Sequence, residues 1–469
     1  MSNQILEKEI PETKAISLSD DAFFSELRKK EYSRIDKNSE VYLDFTGGNI
    51  YPESLIKKHH DFLLKNVFGN PHSINPTSKR SSEFIAETRQ KVLDFFNAKD
   101  YICVFTQNAT NALRIVGESY PFNENTEYIL LSDNHNSVNG IREFCKNKGG
   151  AVTYVPVQYH DLQINEPLLK KLLTEHSKNK KVLFSFPAQS NVTGVKHDLK
   201  WVAYAKNLGC DVILDAAAFV PTSRLDLSEI QPDFIPISFY KIFGYPTGLG
   251  CLLIHKDSFQ ELKKPWFAGG TVSLVSVNAQ DHFLTNTHER FEDGTLNYLD
   301  IPAIKNGLEF IESIGMDKIS KRVHTIVELL AHKLSKMTHS NGKPLLKIFG
   351  PEDFSKRGGN MIMSFYDING NTFQTELIEE RASLKNISIR TGCFCNPGVD
   401  EINSCITTEE LSGYFTSHSD GNYHDMVSFI GKMRGSVRVS VGFITNENDI
   451  EKFCGFVSEF KDKDASEFN

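Results

Sequence analysis

The sequence predicts an α/β protein with a large lobe built on a mostly parallel sheet and a smaller α+β lobe after it. Three observations carry this. Between residues 101 and 254, short apolar runs alternate with amphipathic helical stretches, the pattern of a parallel sheet covered by helices on both faces. Beyond about residue 300 the alternation gives way to long helices and separate β-like runs. The chain has 469 residues, 40% hydrophobic and 24% charged, enough for two lobes of ordinary globular composition.

The elements follow in order. Residues 1–40 are polar and read as an N-terminal arm with a helix near 20–31. A strand at 41–45 leads into a Gly47-Gly48 turn, and 52–68 has helical pattern. Gly69–Ser73 is a loop rich in breakers. The stretch 81–96 carries Phe84, Ile85, Val92, Phe95 and Phe96 at helical spacing. Strands at 101–106, 127–131, 151–157, 182–186 and 212–215 alternate with helices at 108–120, 138–146, 168–176 and 199–208. Two more strands, 234–238 and 250–254, complete the first lobe, taken as residues 41–300, whose first part is expected to contribute to the smaller lobe. The second lobe, 301–469, has helices at 301–314 and 318–337, strands at 345–349, 360–365, 387–390 and 436–441, and a last helix at 448–459. A loop-rich stretch is expected over 396–432.

The net charge of −8 is spread along the chain and argues against a nucleic-acid or anionic-membrane surface. No apolar run is long enough to span a bilayer, and the first residues lack a signal core. The eight cysteines are scattered, the usage of a reduced cytoplasmic protein, except for Cys393 and Cys395.

Ligand groups in such sheets gather at the carboxyl ends of the strands, where Ser185, Asp215 and Ser238 fall. Lys241 lies in SFYKIFGYPTGLG, among aromatic and small residues. It reads either as an ordinary loop lysine or as one that holds an aldehyde cofactor as a Schiff base. In the second case Asp215 faces the ring nitrogen. Gln107–Asn111 opens a helix after a strand. The N–H groups there, Ala109 among them, and the Thr110 hydroxyl suit a phosphate or form a plain cap. Ser238 and Gly269–Thr271 are further small positions suited to a phosphate. His135 either stacks on a flat ring or caps the next helix. Asn191 either meets a ring oxygen or serves a turn. For Cys393 and Cys395 three readings compete: a metal site, for which the spacing is poor; a disulfide, which would be strained; and, as the functional reading, a reactive thiolate in a loop beside Arg390.

Taken in order, GNPHS (69–73), QSN (189–191), LDAAAFV (214–220), SFYKIFGYPTGLG (238–250), FEDGT (291–295), RTGCFCNPG (390–398) and GSVRVSVG (435–442) resemble the class V, fold-type I pyridoxal-phosphate enzymes. The likeness is to the cysteine desulfurases and, within them, to the N-terminal desulfurase domain of molybdenum cofactor sulfurases. It covers about residues 40–460. Tyr240 in place of a histidine and Ala218 in place of a glutamine match that branch, whereas Phe45 and Thr46 depart from its usual His and Ala.

The resemblance implies pyridoxal 5'-phosphate on Lys241, Asp215 at the pyridine nitrogen, His135 on the ring face and Asn191 at the ring oxygen. It implies Ala109, Thr110 and Ser238 at the phosphate, with Thr271 joining from a partner subunit in a homodimer. Arg438 is implied to hold the substrate carboxylate and Cys395 to carry a persulfide, with Cys393 as second choice. The expected reaction takes sulfur from L-cysteine and releases L-alanine. The rivals are another class V reaction on a different amino acid (transamination, β-elimination or epimerisation) and a sulfur carrier on an inactive fold. Full-length sulfurases hold the molybdenum cofactor on a further C-terminal domain. The present sequence has no counterpart of that domain, so the resemblance implies no sulfur acceptor.

Overall fold

The computed structural model describes residues 21–468, His160 and Met433 excepted. Most of the expected N-terminal arm, residues 1–20, therefore lies outside the described residues; the helix Asp21–Glu31 does not.

The larger sheet has seven strands in the spatial order Tyr101–Thr106, Gly250–His255, Phe234–Ser238, Asp211–Asp215, Lys181–Pro187, Thr126–Leu131, Ala151–Val155. All neighbours are parallel except around Gly250–His255, which runs antiparallel to both of its partners. The short link from Ser238, one small helix Phe239–Phe243 and a turn, cannot make the long crossover that a parallel return needs. Ile129, Leu130, Phe184, Val212, Ile213 and Leu252 are fully buried, because helices cover both faces of the sheet.

The helix Pro76–Phe95 starts earlier than its apolar pattern does. Asn75 caps it by accepting the Ser78 N–H, and Pro76 fits the first helical position. The expected 138–146 helix is two, Asn136–Asn139 and Ile141–Asn147, divided at Gly140. A hairpin, Val272–Ser276 with Asp281–Leu284, follows the Gly269–Thr271 turn. Its exposed Leu274 and Phe283 obscured the strand alternation.

The second sheet is antiparallel, in the order Leu346–Ile348, Asn360–Phe365, Ser436–Ser440, Arg390–Gly392. The expected 41–45 strand shrinks to Val41–Tyr42. It pairs in parallel with Ile387–Ser388, and Asp44 bridges to Ser440. Phe45 packs edge-on against Tyr42, 4.9 Å between centroids, and the Thr46 N–H donates to Ser440 Oγ at 2.9 Å. Both residues thus tie the early segment to the second sheet.

The stretch 396–432, expected to be loop-rich, holds three helices: Pro397–Asn403, Thr408–Ser417 and Tyr423–Ile430. The second starts with a capping box in which Thr407 and Glu410 satisfy each other's N–H groups. Among the described residues no helix is long and apolar enough to cross a membrane.

Candidate active site

A cleft of about 270 Å³ opens at the carboxyl ends of the parallel strands. It brings together Ala109, Thr110, His135, Asn191, Asp215, Ser238 and Lys241, residues taken from five separate stretches of the chain.

Asp215 ends its strand, and its Oδ1 accepts the Ala217 N–H at 3.0 Å. Burial pulls the Lys241 amine below its ordinary value; the charge of Asp215 opposes this and those of Arg438 and Arg390 reinforce it. His135 caps the Asn136–Asn139 helix, its Nδ1 accepting the Ser137 N–H at 3.1 Å. An Nδ1 that accepts is unprotonated. Burial also lowers the pKa of this imidazole, with Asp215 opposing and Lys241 adding. The capping and ring-facing readings of His135 are therefore compatible, since the cap uses one nitrogen and leaves the ring face in the cleft.

The helix Ala109–Ser119 points its N-terminus into the cleft. Asn108 caps it by accepting the Asn111 N–H at 2.9 Å. The Ala109 N–H meets Ser238 Oγ at 2.9 Å, and the Thr110 and Ser137 hydroxyls lie 2.7 Å apart. Gly250 allows this close arrangement, because a Cβ there would stand 2.4 Å from the Ile237 carbonyl and 2.8 Å from Asn108 Cα. Thr271 lies outside the cleft, its hydroxyl buried and accepting the Ala268 N–H at 3.0 Å.

Arg438 is not in the cleft wall. Its Nη1 donates to the Asn191 carbonyl at 2.9 Å and its Nη2 to Asp44 Oδ1 at 2.7 Å. Arg390 takes the other oxygen, Oδ2, at 2.7 Å. The Phe394 ring covers the Arg438 guanidinium at 4.7 Å. The importance of Asp44 was not visible in the sequence, where it read as part of a short strand before a glycine turn.

The cysteine loop is held to the cleft rim at several points. Asn136 N–H donates to the Cys395 carbonyl at 2.6 Å, and Asn191 Nδ2 to the Phe394 carbonyl at 2.9 Å. Asn396 Nδ2 reaches the fully buried Asp133 at 2.8 Å and Asn191 Oδ1 at 3.2 Å. Asp133 also accepts from Ser190 Oγ at 2.8 Å and lies 3.2 Å from His197 Nε2. Gly398 packs on the Ser132 carbonyl so closely that a Cβ would be 2.2 Å away. Cys395 is exposed and Cys393 half-buried, and burial pushes the Cys393 thiol up. Asp133, two residues before His135, escaped the sequence reading, and Asn396 stood there only as part of RTGCFCNPG.

Known proteins resemble this chain at two levels. The molybdenum cofactor sulfurase of Homo sapiens is 35% identical over 92% of this chain and 51% of its own length. That of Danio rerio is 36% identical over 92% of this chain and 54% of its own. The chain thus spans about half the length of the curated relatives it matches. A cysteine desulfurase from Thermococcus onnurineus superposes with a TM-score of 0.75 at 22% identity, covering 93% of this chain and 97% of that one, and so shares the α/β fold that the motifs implied. Residues 41–453 match the model of the aminotransferase class-V family, and the chain belongs to that family.

Proposed function

We propose that the chain is a pyridoxal-phosphate-dependent cysteine desulfurase that takes sulfur from L-cysteine onto Cys395 and releases L-alanine. The molybdenum cofactor is the destination of that sulfur suggested by the sulfurase relatives. One observation carries the reading. A single cleft joins a desolvated lysine, a carboxylate, an imidazole and a helix N-terminus, and a Cys-x-Cys loop is bonded to its rim.

The residues fit pyridoxal 5'-phosphate. The Ala109–Ser119 N-terminus with Thr110 and Ser238 offers N–H and hydroxyl groups to a phosphate. Asp215 offers a carboxylate to a protonated ring nitrogen, His135 a ring face, and Asn191 an amide to the ring oxygen. When bound, the cofactor supplies the electron sink for bond changes at the amino acid's α-carbon. Lys241, its pKa lowered by burial, moves the α-proton. Arg438, whose Nη1 and Nη2 are held by Asn191 and Asp44, attracts the substrate carboxylate with its charge and its unpartnered Nε. Cys395 Sγ, having given up its proton, then forms an S–S bond to the substrate sulfur as the carbon–sulfur bond breaks; one proton delivered to Cβ, matching the one lost by the thiol, and the α-proton returned to Cα complete alanine.

Three further readings belong to the proposal. The chain divides near residues 41 and 301, in keeping with the separate seven-stranded and four-stranded sheets, with the first part of the large domain contributing to the small lobe. It forms a homodimer with the Gly269–Thr271 turn at the contact, supported by the exposed apolar side chains of the adjoining hairpin. It works in the cytoplasm, in keeping with eight free cysteines.

The test is amino-acid turnover under reductant, scored for alanine and sulfide across a panel of substrates. L-Cysteine should give both in equal amounts. Cys395→Ala should abolish sulfide yet keep the yellow cofactor colour, while Cys393→Ala should retain turnover. Sulfide from the Cys395 variant, or turnover only of another amino acid, would sink the proposal.

A further inference from the structure

Arg438 is 3% exposed, and the chain satisfies most of its guanidinium: Nη1 on Asn191, Nη2 on Asp44, its face under Phe394. Its Nε, though buried, has no acceptor. A buried guanidinium N–H without a partner pays a desolvation penalty, so this edge is suited to one more oxygen. Phe394 stands over it and has no oxygen to offer from its ring. Phe394 also packs against the small apolar cluster that includes Val192, Val195 and Ile362. The next residue, Cys395, faces solvent. Phe394 and Cys395 both have left-handed backbone, φ 55° and 54°, which non-glycine residues keep only where contacts hold them there. Two of those contacts come from the Asn136 N–H and the side chain of Asn191, and Asn191 lines the cleft.

We propose that Phe394 is a movable occupant of the amino acid's carboxylate subsite, so that a carboxylate arriving at Arg438 displaces Phe394 and carries Cys395 from solvent toward the cleft. The inference rests on the amino-acid reading of the cleft given above. The loop then has two arrangements. With Phe394 on Arg438, Cys395 is turned outward, as sulfur delivery requires. With a carboxylate on Arg438, Cys395 is turned inward, as sulfur uptake requires. Adjacency in the chain makes the two exclusive, because leaving the left-handed conformation moves both side chains together. The plug also selects ligands: an amine lacking a carboxylate does not replace the cation–π contact that it removes.

The test uses the full chain loaded with cofactor and glycine as a probe, since glycine has no sulfur to lose. Calorimetry follows glycine binding. Iodoacetamide with peptide mass spectrometry follows Cys395, with the exposed Cys405 as reference. Saturating glycine is expected to slow Cys395 alkylation by about fivefold or more and leave Cys405 unchanged, whereas methylamine has no effect. In Phe394→Ala, glycine should half-saturate at about tenfold lower concentration, and Cys395 alkylation should no longer respond to it. Glycine binding without protection of Cys395, equal protection by methylamine, or weaker binding by the variant overturns the proposal and leaves the amino-acid reading intact. No glycine binding to the natural chain overturns both.

Discussion

Arg438 and Asp44, 394 positions apart in the chain, are joined by a 2.7 Å hydrogen bond, and Arg390 holds the opposite oxygen of the same carboxylate. One buried carboxylate thus balances one of two arginines, leaving a net positive charge for a substrate carboxylate. Asp44→Ala leaves Arg438 buried without its counter-charge. It should lower the unfolding free energy by about 3 kcal/mol, the scale for breaking a buried pair, as read by urea denaturation. A loss below about 0.5 kcal/mol would place this pair with solvent-screened surface pairs instead. Arg438→Lys keeps the charge and loses the fork, so KM for the amino acid should rise with kcat changed less.

Lys241 has its amine pulled below 10.5 by burial, so the neutral form that accepts a proton is present at lower pH than for a free lysine. Exchange of the substrate α-hydrogen in D2O, followed by NMR, should rise with pH and level off below pH 10.5. Lys241→Ala should slow the exchange by about 10² to 10⁴. Exchange that continues to climb through pH 10.5 would show an amine titrating as it does in water.

Glu292, from the FEDGT motif, is a clamp between two elements. It accepts from Arg89 Nη1 at 2.7 Å, from the Phe105 N–H at 2.7 Å and from His288 Nδ1 at 2.9 Å. Burial raises its pKa, but the bonds from His288 and Arg89 outweigh this and hold it below the usual carboxylate value. A carboxylate lowered on folding contributes stability that is full above about pH 4.5 and is lost as pH falls through the folded value. Glu292→Gln should therefore cost about 3 kcal/mol in urea at pH 7, and the gap between variant and natural chain should narrow below pH 4.5. An equal gap at both pH values would mean that the charge is not what stabilises this contact.

Much of the cleft was legible because its signals are local. Asp215 ends an apolar run, Asn108 and Ala109 follow a strand and open a helix, and Lys241 sits in a short turn between two strands. Each such position carries its own cap, breaker or period, and parallel strands deliver their ends to one edge. The helices in 396–432 were missed for the converse reason. They are short, and their stops and starts, Pro397 and the Thr407–Glu410 box, lie within a polar stretch that lacks a clear apolar period.

By itself, then, the sequence determined the α/β class, most of the succession of strands and helices, and the strand-end and turn residues that line the cleft. Only the tertiary structure decided what stands opposite them. It turned Gly250–His255 antiparallel, paired Asp44 with Arg438, set Phe394 over that arginine and placed Asp133 under the cysteine loop. These are contacts between distant segments, and a charge or a ring leaves no periodic trace of its partner in the chain. Hydrogen bonding and desolvation select the partner only once both groups are buried together.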